Sequence, residues 1–458
     1  MIEIAYDRCD RCGCCVSVCR SNALLLAERL SVDHSRCISC GLCVRVCPFG
    51  ALRMAESGTP ESAAARAGHA EGAEKSYDVL VVGGGPAGAM AAYHAAAGGL
   101  RVGIVDRNER VGVPVRCGEA VGVTALAEQT AIDPAWVLAP LRGTTMVSPS
   151  GIEVLIDRMA EGYVVRRDIM DAQLVQRAVE RGAAYHPRVT IVSASPAAGG
   201  HECAGARGER FRATCLVLAD GVESRLARQL GWATALAAED ISSCAFAHVS
   251  HPRVPVDRME MHYGSTVAPR GYAWVFPRGQ GAANVGVGVL GTHGAPGRAL
   301  ECLHAFVKRR FGGDAQLAGI HCGGVPVGRW SKRLVREGAM LVGDAARQVD
   351  PLTGGGITHA MHAGTLAGKA AVQAFQGGTF RPERLRQYER SWAAGPGKAL
   401  LRTYALKRMV IGLDDATLDR IARRITARRR SSLGLAGICV AAFGRRPLLL
   451  LKALMVYW

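Results

Sequence analysis

The hydrophobic positions of this chain fall mainly into short continuous runs, each followed closely by glycine or aspartate. Four such runs end near residues 82, 105, 218 and 342, and the first leads through a glycine-rich turn into an alanine-rich segment. Apolar runs of four to eight residues bounded by turn residues are typical of strands buried on both faces of a parallel sheet. The pattern therefore predicts an α/β body of alternating strands and helices.

Other parts of the chain have different patterns. Residues 272–276 read YAWVF and predict a strand in an antiparallel sheet inserted at about residues 230–330. Residues 55–75 are small, polar and rich in Gly, Pro and Ala, which indicates a linker. We therefore expect a head at 1–54, a linker at 55–75, a body at 76–390 that contains the inserted sheet, and a helical tail at 391–458.

The chain has 458 residues, of which 49% are hydrophobic and 21% charged, so it is long enough for two or three domains. Its net charge of +17 is concentrated at the end, because residues 402–458 contain 12 Lys or Arg against 3 Asp. No zinc-finger or RRM-like motif accompanies this charge, so we expect no nucleic-acid partner.

The basic clusters of the tail alternate with apolar tracts at residues 433–443 and 447–458, each too short to span a bilayer. This composition favours a peripheral membrane surface, the alternative being helices that pack on the body. The first cysteine comes before any apolar run, so we expect no secretory leader. The predicted location is the cytoplasm, at the inner face of the membrane.

Nine of the sixteen cysteines lie before residue 50. Two runs share the spacing C-x2-C-x2-C-x3-C, in which three thiols of one run and the fourth of the other hold each iron–sulfur cube. This assigns two 4Fe-4S clusters, with Cys9, Cys12, Cys15 and Cys47 on the first and Cys37, Cys40, Cys43 and Cys19 on the second. The head resembles a bacterial two-cluster ferredoxin, and we expect a small α+β fold.

Two positions depart from the ferredoxin pattern. Arg20 stands where proline usually follows the fourth cysteine, and Cys14 is an extra thiol, which we interpret as a bystander. Arg20 removes no ligand, although its charge can raise the potential of a nearby cluster. A structural zinc site is the alternative interpretation of the cysteines.

The body opens with a strand, the loop Gly83-x-Gly85-x-x-Gly88, a helix, and a second strand that ends in Asp106. The glycines permit a tight turn and close approach of a pyrophosphate to the helix N-terminus, and the aspartate can accept a ribose hydroxyl. This arrangement predicts a dinucleotide site, but it does not distinguish FAD from NAD.

Later segments resemble the second and third flavin contacts of the flavoprotein hydroxylase superfamily. The matching residues, each after a predicted strand or before a predicted helix, are Asp220, Gly221, Gly343, Asp344, Gly354, Gly355, Gly356 and Ile357. The resemblance implies FAD, with Asp344 at the ribityl chain and the triple glycine at the pyrimidine edge of the flavin ring. Ordinary strand ends and turns are the alternative.

The segment PRGYAWVFP at residues 269–277 is similar to the P-x-x-Y-x-W-x-F-P signature of the geranylgeranyl reductase family. Further similarity lies around Cys117 and in YVVRRDIMDAQL, which contains Arg167, so the resemblance runs from residue 76 to about 400. It implies an FAD enzyme that saturates isoprenoid double bonds. Tyr272 and Trp274 would wall an apolar tunnel, Arg167 would contact the cofactor, and Cys117 would help to supply a proton.

For these candidate catalytic residues, the alternatives are a buried core thiol at Cys117 and aromatic side chains that only fill the core. The predicted substrate is a prenylated lipid or quinone, and the ferredoxin head, with a possible external donor, would supply the electrons. The alternative functions are electron transfer to quinone and flavin monooxygenation.

Overall fold

The structure of this chain is a computed structural model that describes residues 1–26, 28–55 and 74–427, with only the backbone at residues 157–160. The expected linker falls almost entirely outside these residues, as does the tail from residue 428 onward. The interpretations of both segments therefore stay predictions.

The head folds as a small α+β unit in which two antiparallel strand pairs, β1 with β4 and β2 with β3, accompany two short helices. The third cysteine of each run lies inside a helix and the fourth lies at its C-cap. Each helix begins after a glycine in the left-handed region, Gly13 at φ 77° and Gly41 at φ 69°. The elements are β1 Ile2–Ile4, α1 Cys14–Val18, β2 Leu24–Leu26, β3 Leu30–Val32, α2 Leu42–Val46 and β4 Leu52–Met54.

The body, with the helices that follow it, contains the remaining elements of the described residues. Its strands are β5 Lys75–Val82, β6 Val102–Val105, β7 Ala120–Gly122, β8 Val137–Val147, β9 Glu153–Val165, β10 Ala184–His186, β11 Ile191–Ala197, β12 Gly200–Gly205, β13 Arg210–Leu218, β14 Ile241–Ser250, β15 Arg258–His262, β16 Tyr272–Gly279, β17 Ala282–Leu290, β18 Leu317–Pro326, β19 Val335–Arg336 and β20 Ala339–Leu341. Its helices are α3 Pro86–Ala97, α4 Val123–Ala127, α5 Arg167–Glu180, α6 Arg225–Gln229, α7 Arg298–Phe311, α8 Ile357–Phe375, α9 Arg386–Ala394, α10 Pro396–Val410 and α11 Asp415–Thr426.

The first large sheet is the predicted α/β core. Its strand order is β10-β6-β5-β13-β12-β11, and β20 adds to β13. The pairings of β10, β6, β5, β13 and β20 are parallel, so their carboxyl ends meet at one edge. This is the edge at which open α/β sheets bind ligands. The α/β fold predicted from the apolar runs is confirmed.

The second large sheet has the order β18-β14-β17-β16-β15-β8-β9-β7. The predicted interval of about 230–330 supplies β14 to β18, whereas β7, β8 and β9 come from residues 120–165. All neighbouring pairs are antiparallel except β15 and β8, which run parallel. The inserted sheet is therefore assembled from two separate segments of the chain.

The head packs directly on the body. Cys14, Val18 and Val46 share a buried apolar cluster with Leu236 and Ile241. Backbone groups join the two units as well, including Leu236 N–H to Ser17 O at 3.0 Å and Gly297 N–H to Cys47 O at 3.0 Å. Burial of this shared cluster gives the head a fixed position against β14 and β18.

Candidate functional site

In the glycine loop after β5, two of the glycines are closely packed and a third faces open space. A Cβ on Gly83, whose φ is 103°, would lie 2.3 Å from Ala219 O, and a Cβ on Gly88 would lie 1.9 Å from Gly83 O. A Cβ on Gly85 would meet no protein atom within 4 Å. Gly85 caps α3 without a side-chain hydrogen bond to the helix amides. The N-terminus of α3 therefore faces open space of the kind that a pyrophosphate occupies.

Asp106 follows β6 and supports this loop. Its Oδ2 accepts a hydrogen bond from Gly84 N–H at 2.8 Å and its Oδ1 accepts one from Asn108 N–H at 2.8 Å. Burial raises the pKa of this carboxyl group, while these two amides lower it. Because each carboxylate oxygen has two acceptor sites, Asp106 can still accept a ribose hydroxyl.

Two further carboxylates lie at the same sheet edge. Asp220 follows β13 and Asp344 follows β20, and these strands are paired through Leu218 and Leu341. Burial raises the pKa of each carboxyl group to about 6. Among the described residues, the buried Asp220 Oδ1 has no hydrogen-bond partner. A buried acceptor without a donor costs free energy. The crevice at this sheet edge therefore suits a ligand with several hydroxyl groups, as FAD has.

The triple glycine lies between α8 and the aromatic strand β16. Gly354 adopts φ 74°, and a Cβ there would lie 3.6 Å from the Tyr272 hydroxyl oxygen. That hydroxyl donates a hydrogen bond to Thr353 O. Beyond the loop, α8 begins at Ile357 and packs closely on α3, because a Cβ on Gly364 would lie 2.1 Å from Ala87 O. The structure thus joins the predicted flavin loop to the predicted substrate sheet.

Alternate residues of β16 point to opposite faces of the second sheet. Ala273 and Val275 pack in the apolar cluster that includes residues of α7. Tyr272, Trp274 and Phe276 point to the other face, where successive ring centroids lie 6.1 and 6.0 Å apart. Trp274 is 6% and Phe276 8% exposed, so neighbouring side chains already cover most of both rings. The aromatic row forms an apolar wall next to the triple-glycine loop.

A buried polar network connects this wall to Cys117. Trp274 Nε1 donates to Asn284 Oδ1 at 2.9 Å. Asn284 Nδ2 donates to Cys117 O at 2.9 Å and to Glu119 Oε2 at 3.2 Å. Glu119 is 1% exposed and forms an ion pair with Arg278. The network fixes the segment around Cys117 against the aromatic wall.

Glu119, Arg278 and Asn284 were not among the site residues predicted from the sequence. Arg278 directly follows the aromatic signature, and Asn284 is the one strongly polar residue of β17. A lone polar residue in an apolar strand is a signal that sequence reasoning can use, because buried polar groups need partners. The identity of the partners, however, depends on strand register.

Cys117 also contacts the predicted cofactor residue Arg167. The Glu119 N–H donates to Cys117 Sγ at 3.2 Å, and the Arg167 guanidinium lies close enough to act on the thiol electrostatically. Burial raises the pKa of the Cys117 thiol, and the charge of Arg167 acts in the opposite direction. Arg167 itself is held by Asp171 through two hydrogen bonds of 2.8 and 2.7 Å. The thiol is therefore protonated at neutral pH in this environment.

The eight spaced cysteines of the head surround two cavities. The first is lined by Cys9, Cys12, Cys15 and Cys47. The second is lined by Cys19, Cys37, Cys40 and Cys43. These are the two interleaved sets expected from the spacing, and Cys14 lines neither cavity. In the described ranges, no three His, Cys, Asp or Glu side chains are grouped closely enough to hold a single metal ion.

The first cavity is connected to the segment that carries Cys117. Asp10 lines this cavity, and its Oδ2 accepts from Arg116 Nη1 at 3.1 Å and from Cys322 N–H at 3.2 Å. Arg116 also donates to Asp10 O at 2.8 Å and to Cys322 O at 2.9 Å. Since Arg116 directly precedes Cys117, a covalent and hydrogen-bonded path leads from the head to the segment that carries Cys117.

The fold and this site define a class, namely an α/β flavoprotein oxidoreductase with a fused ferredoxin-type head. A geranylgeranyl reductase catalytic domain model matches residues 240–326, and 4Fe-4S binding domain models match residues 6–22 and 30–53. A lycopene cyclase protein model matches residues 78–261. The chain belongs to the geranylgeranyl reductase family, as the sequence motifs indicated.

Curated relatives support this assignment over most of the chain. The digeranylgeranylglycerophospholipid reductase of Methanothrix thermoacetophila is 37% identical over 371 residues, which cover 79% of this chain and 94% of the relative. The reductase of the same name from Methanoculleus marisnigri is 36% identical over 394 residues, covering 83% of this chain and 98% of the relative. The chain is thus an FAD-dependent oxidoreductase of the geranylgeranyl reductase type.

Solved structures agree with the fold. A geranylgeranyl bacteriochlorophyll reductase-like protein from Thermoplasma acidophilum superposes with a TM-score of 0.78 at 29% identity, covering 84% of this chain and all of that chain. The flavin-dependent brominase Bmp2 superposes with a TM-score of 0.57 at 20% identity, covering 82% of this chain and 98% of that chain, which shows the shared fold alone. Among the described residues, no helix has the length and apolar character that crossing a bilayer requires.

Proposed function

We propose that this protein saturates isoprenoid double bonds of a prenylated lipid or quinone, using electrons that enter through its ferredoxin head. The observation that carries the proposal is the contact of Tyr272 with the Thr353 carbonyl, which places the apolar wall against the loop expected to hold the flavin. The relatives' names favour a digeranylgeranylglycerophospholipid as the substrate class. Such a substrate needs an apolar site, because its reacting chain is a hydrocarbon.

The crevice residues fit FAD in distinct ways. The α3 amides behind Gly85 suit the pyrophosphate, and the carboxylates suit hydroxyl groups of the ribose and ribityl chains. The residues that we assign to FAD are Gly83, Gly85, Gly88, Asp106, Arg167, Asp220, Gly221, Gly343, Asp344, Gly354, Gly355, Gly356 and Ile357. When bound, FAD supplies a hydride for one carbon of the alkene. The chain must then exclude water and provide a proton for the other carbon.

The thiols around the two cavities fit two 4Fe-4S clusters. Each cavity has four of them, contributed as three from one run and one from the other, as interleaved cubanes require. Cys9, Cys12, Cys15 and Cys47 would hold one cluster, and Cys19, Cys37, Cys40 and Cys43 the other. Such clusters carry single electrons at potentials set partly by nearby charge and hydrogen bonds.

The residues on the substrate side have separate roles in this proposal. Tyr272 and Trp274 shape a dry pocket and present ring faces to positive charge that develops on the alkene. Cys117 retains its proton at neutral pH and is held by Arg167 and the Glu119 amide, so it is the candidate proton donor. Glu119 and Asn284 position the Cys117 segment through the network described above.

We expect Cys117→Ser to lower the rate of alkene reduction by about 100-fold or more, because a positioned proton donor is lost. In the parent protein the rate should fall as the pH rises through the raised pKa of the thiol, since the protonated form is the active one. The variant should lack that alkaline decline and keep its FAD content. Turnover and a pH profile equal to those of the parent would show that Cys117 is only a core thiol.

The mass of the product formed under anaerobic conditions distinguishes this function from the alternatives. Alkene saturation adds two hydrogens per double bond to the prenyl chain. Electron transfer to quinone would reduce the ring and leave the chain unchanged, and a monooxygenase would add oxygen. The membrane surface remains part of the proposal through the basic tail at 391–458, which would bring the site to anionic headgroups.

A further inference from the structure

The second cavity of the head has a side that is open to solvent, although Val18 and Leu42 of its lining also reach the apolar cluster shared with the body. Of the cysteines in the described residues, Cys40 is the exposed one, and it lines this cavity. The neighbouring Ile38 is 64% exposed, although it is a large apolar side chain. By contrast, Asp10 beside the first cavity is engaged by Arg116. The head thus presents its second cavity outward.

The rim of this cavity carries positive charge. Arg20 directly follows Cys19 and Arg36 directly precedes Cys37, and both arginines are exposed. Arg225 of the body reaches the same region, because its Nε donates to Asn22 Oδ1 at 3.2 Å. We call Arg20 and Arg36, together with Ile38 and Cys40, the arginine rim.

The carboxylate next to the arginine rim is Asp33. Its Oδ1 accepts from the Ser35 amide at 3.0 Å and from the Ser35 hydroxyl at 2.6 Å, and the carboxylate keeps its negative charge. Because Arg20, Arg36 and Arg225 outnumber this one carboxylate, the region keeps a net positive charge around an exposed apolar residue. This combination fits a protein partner that brings carboxylates to the arginines and covers Ile38.

We propose that the arginine rim is the docking site for a small acidic protein that carries single electrons. This inference rests on the proposed function, in which electrons enter through the head. The alignment of opposite charges would steer the carrier to the cysteine cavity that is open to it, and Ile38 would supply the apolar centre of the contact.

The test uses calorimetry to measure the binding of an oxidised acidic flavodoxin to the full chain. The measurement is made at low and at high salt. We expect Arg20→Glu/Arg36→Glu to weaken binding by at least about 10-fold at low ionic strength. The difference should shrink at 0.5 M salt, where exposed charges are screened. A control with the same change of charge is Arg210→Glu/Arg390→Glu, which alters two exposed arginines of the body and should bind like the parent.

Equal affinity of the arginine-rim variant and the parent at low salt would overturn the proposal. The proposal would also be overturned if the variant bound the carrier normally but lost binding to anionic vesicles or lost self-association. Either result would assign the rim to another occupant. Because the oxidised carrier binds without turnover, this outcome is independent of whether an alkene is the substrate. Alkene reduction driven by a chemical reductant should persist in the variant.

Discussion

We expect Cys12→Ala to reduce donor-driven alkene reduction by about 100-fold or more, while the FAD content of the protein stays near that of the parent. Cys12 lines the first cavity and packs against apolar clusters of the body, so it stands where the head meets the body. Loss of one of four thiols removes a cluster ligand. Without that cluster, electrons must reach the flavin by collision with an external donor rather than from a centre that the head already holds against the body.

Cys14→Ala is the matched control for this variant. Cys14 is buried at the start of α1, two residues away, but it lines neither cavity. The control should retain iron, flavin and activity within about threefold of the parent, as expected for a thiol that holds no cluster. Iron analysis and the rate of flavin reduction separate the two variants. Rapid reduction of the flavin by NADPH alone in Cys12→Ala would show that electrons do not need the head.

The second large effect is expected at the glycine loop. Gly85→Ala should leave the apoprotein as stable as the parent but weaken FAD binding by about 100-fold, or about 2.7 kcal/mol. A Cβ at this position meets no protein atom within 4 Å, and φ of −63° suits any residue. The added methyl group therefore conflicts only with a ligand that occupies the space in front of α3.

Gly88→Ala should behave differently, because its Cβ would lie 1.9 Å from Gly83 O and the turn itself must distort. We expect both lower thermal stability and loss of FAD. Gly122→Ala is the control, since its Cβ also meets no atom within 4 Å and its φ is −70°. Thermal unfolding compares the stability of the three variants, and FAD titration compares their affinity for the cofactor. Unchanged FAD affinity in Gly85→Ala would place the pyrophosphate elsewhere.

The local parts of the site were predictable from the sequence because short-range spacing determines them. The cysteine spacing specified which thiols surround each cavity, and the loop from Gly83 to Gly88 specified the turn after β5. In both cases the residues that act together lie within a few positions or in a repeated motif. Steric limits on glycine and the reach of a thiol then leave few arrangements.

The long-range parts were not predictable in the same way. The ion pair of Glu119 with Arg278 and the contact of Asp10 with Arg116 join residues that are 159 and 106 positions apart. Likewise, β8 joins the inserted sheet by pairing with β15 in parallel, although the intervening chain contributes to the other sheet. Such pairings depend on strand register and on the docking of two units, which no local pattern determines.

The central claim is that electrons pass within one polypeptide from the cysteine-bound centres of the head to the flavin site and then to a prenyl double bond. The most direct test is anaerobic rapid mixing of the reduced protein with a geranylgeranyl lipid, followed by mass measurement of the lipid. We predict that the rate of flavin-dependent lipid reduction does not depend on protein concentration. We also predict that the lipid gains two hydrogens for each bond saturated. A rate proportional to protein concentration, or a lipid chain of unchanged mass, would contradict the account.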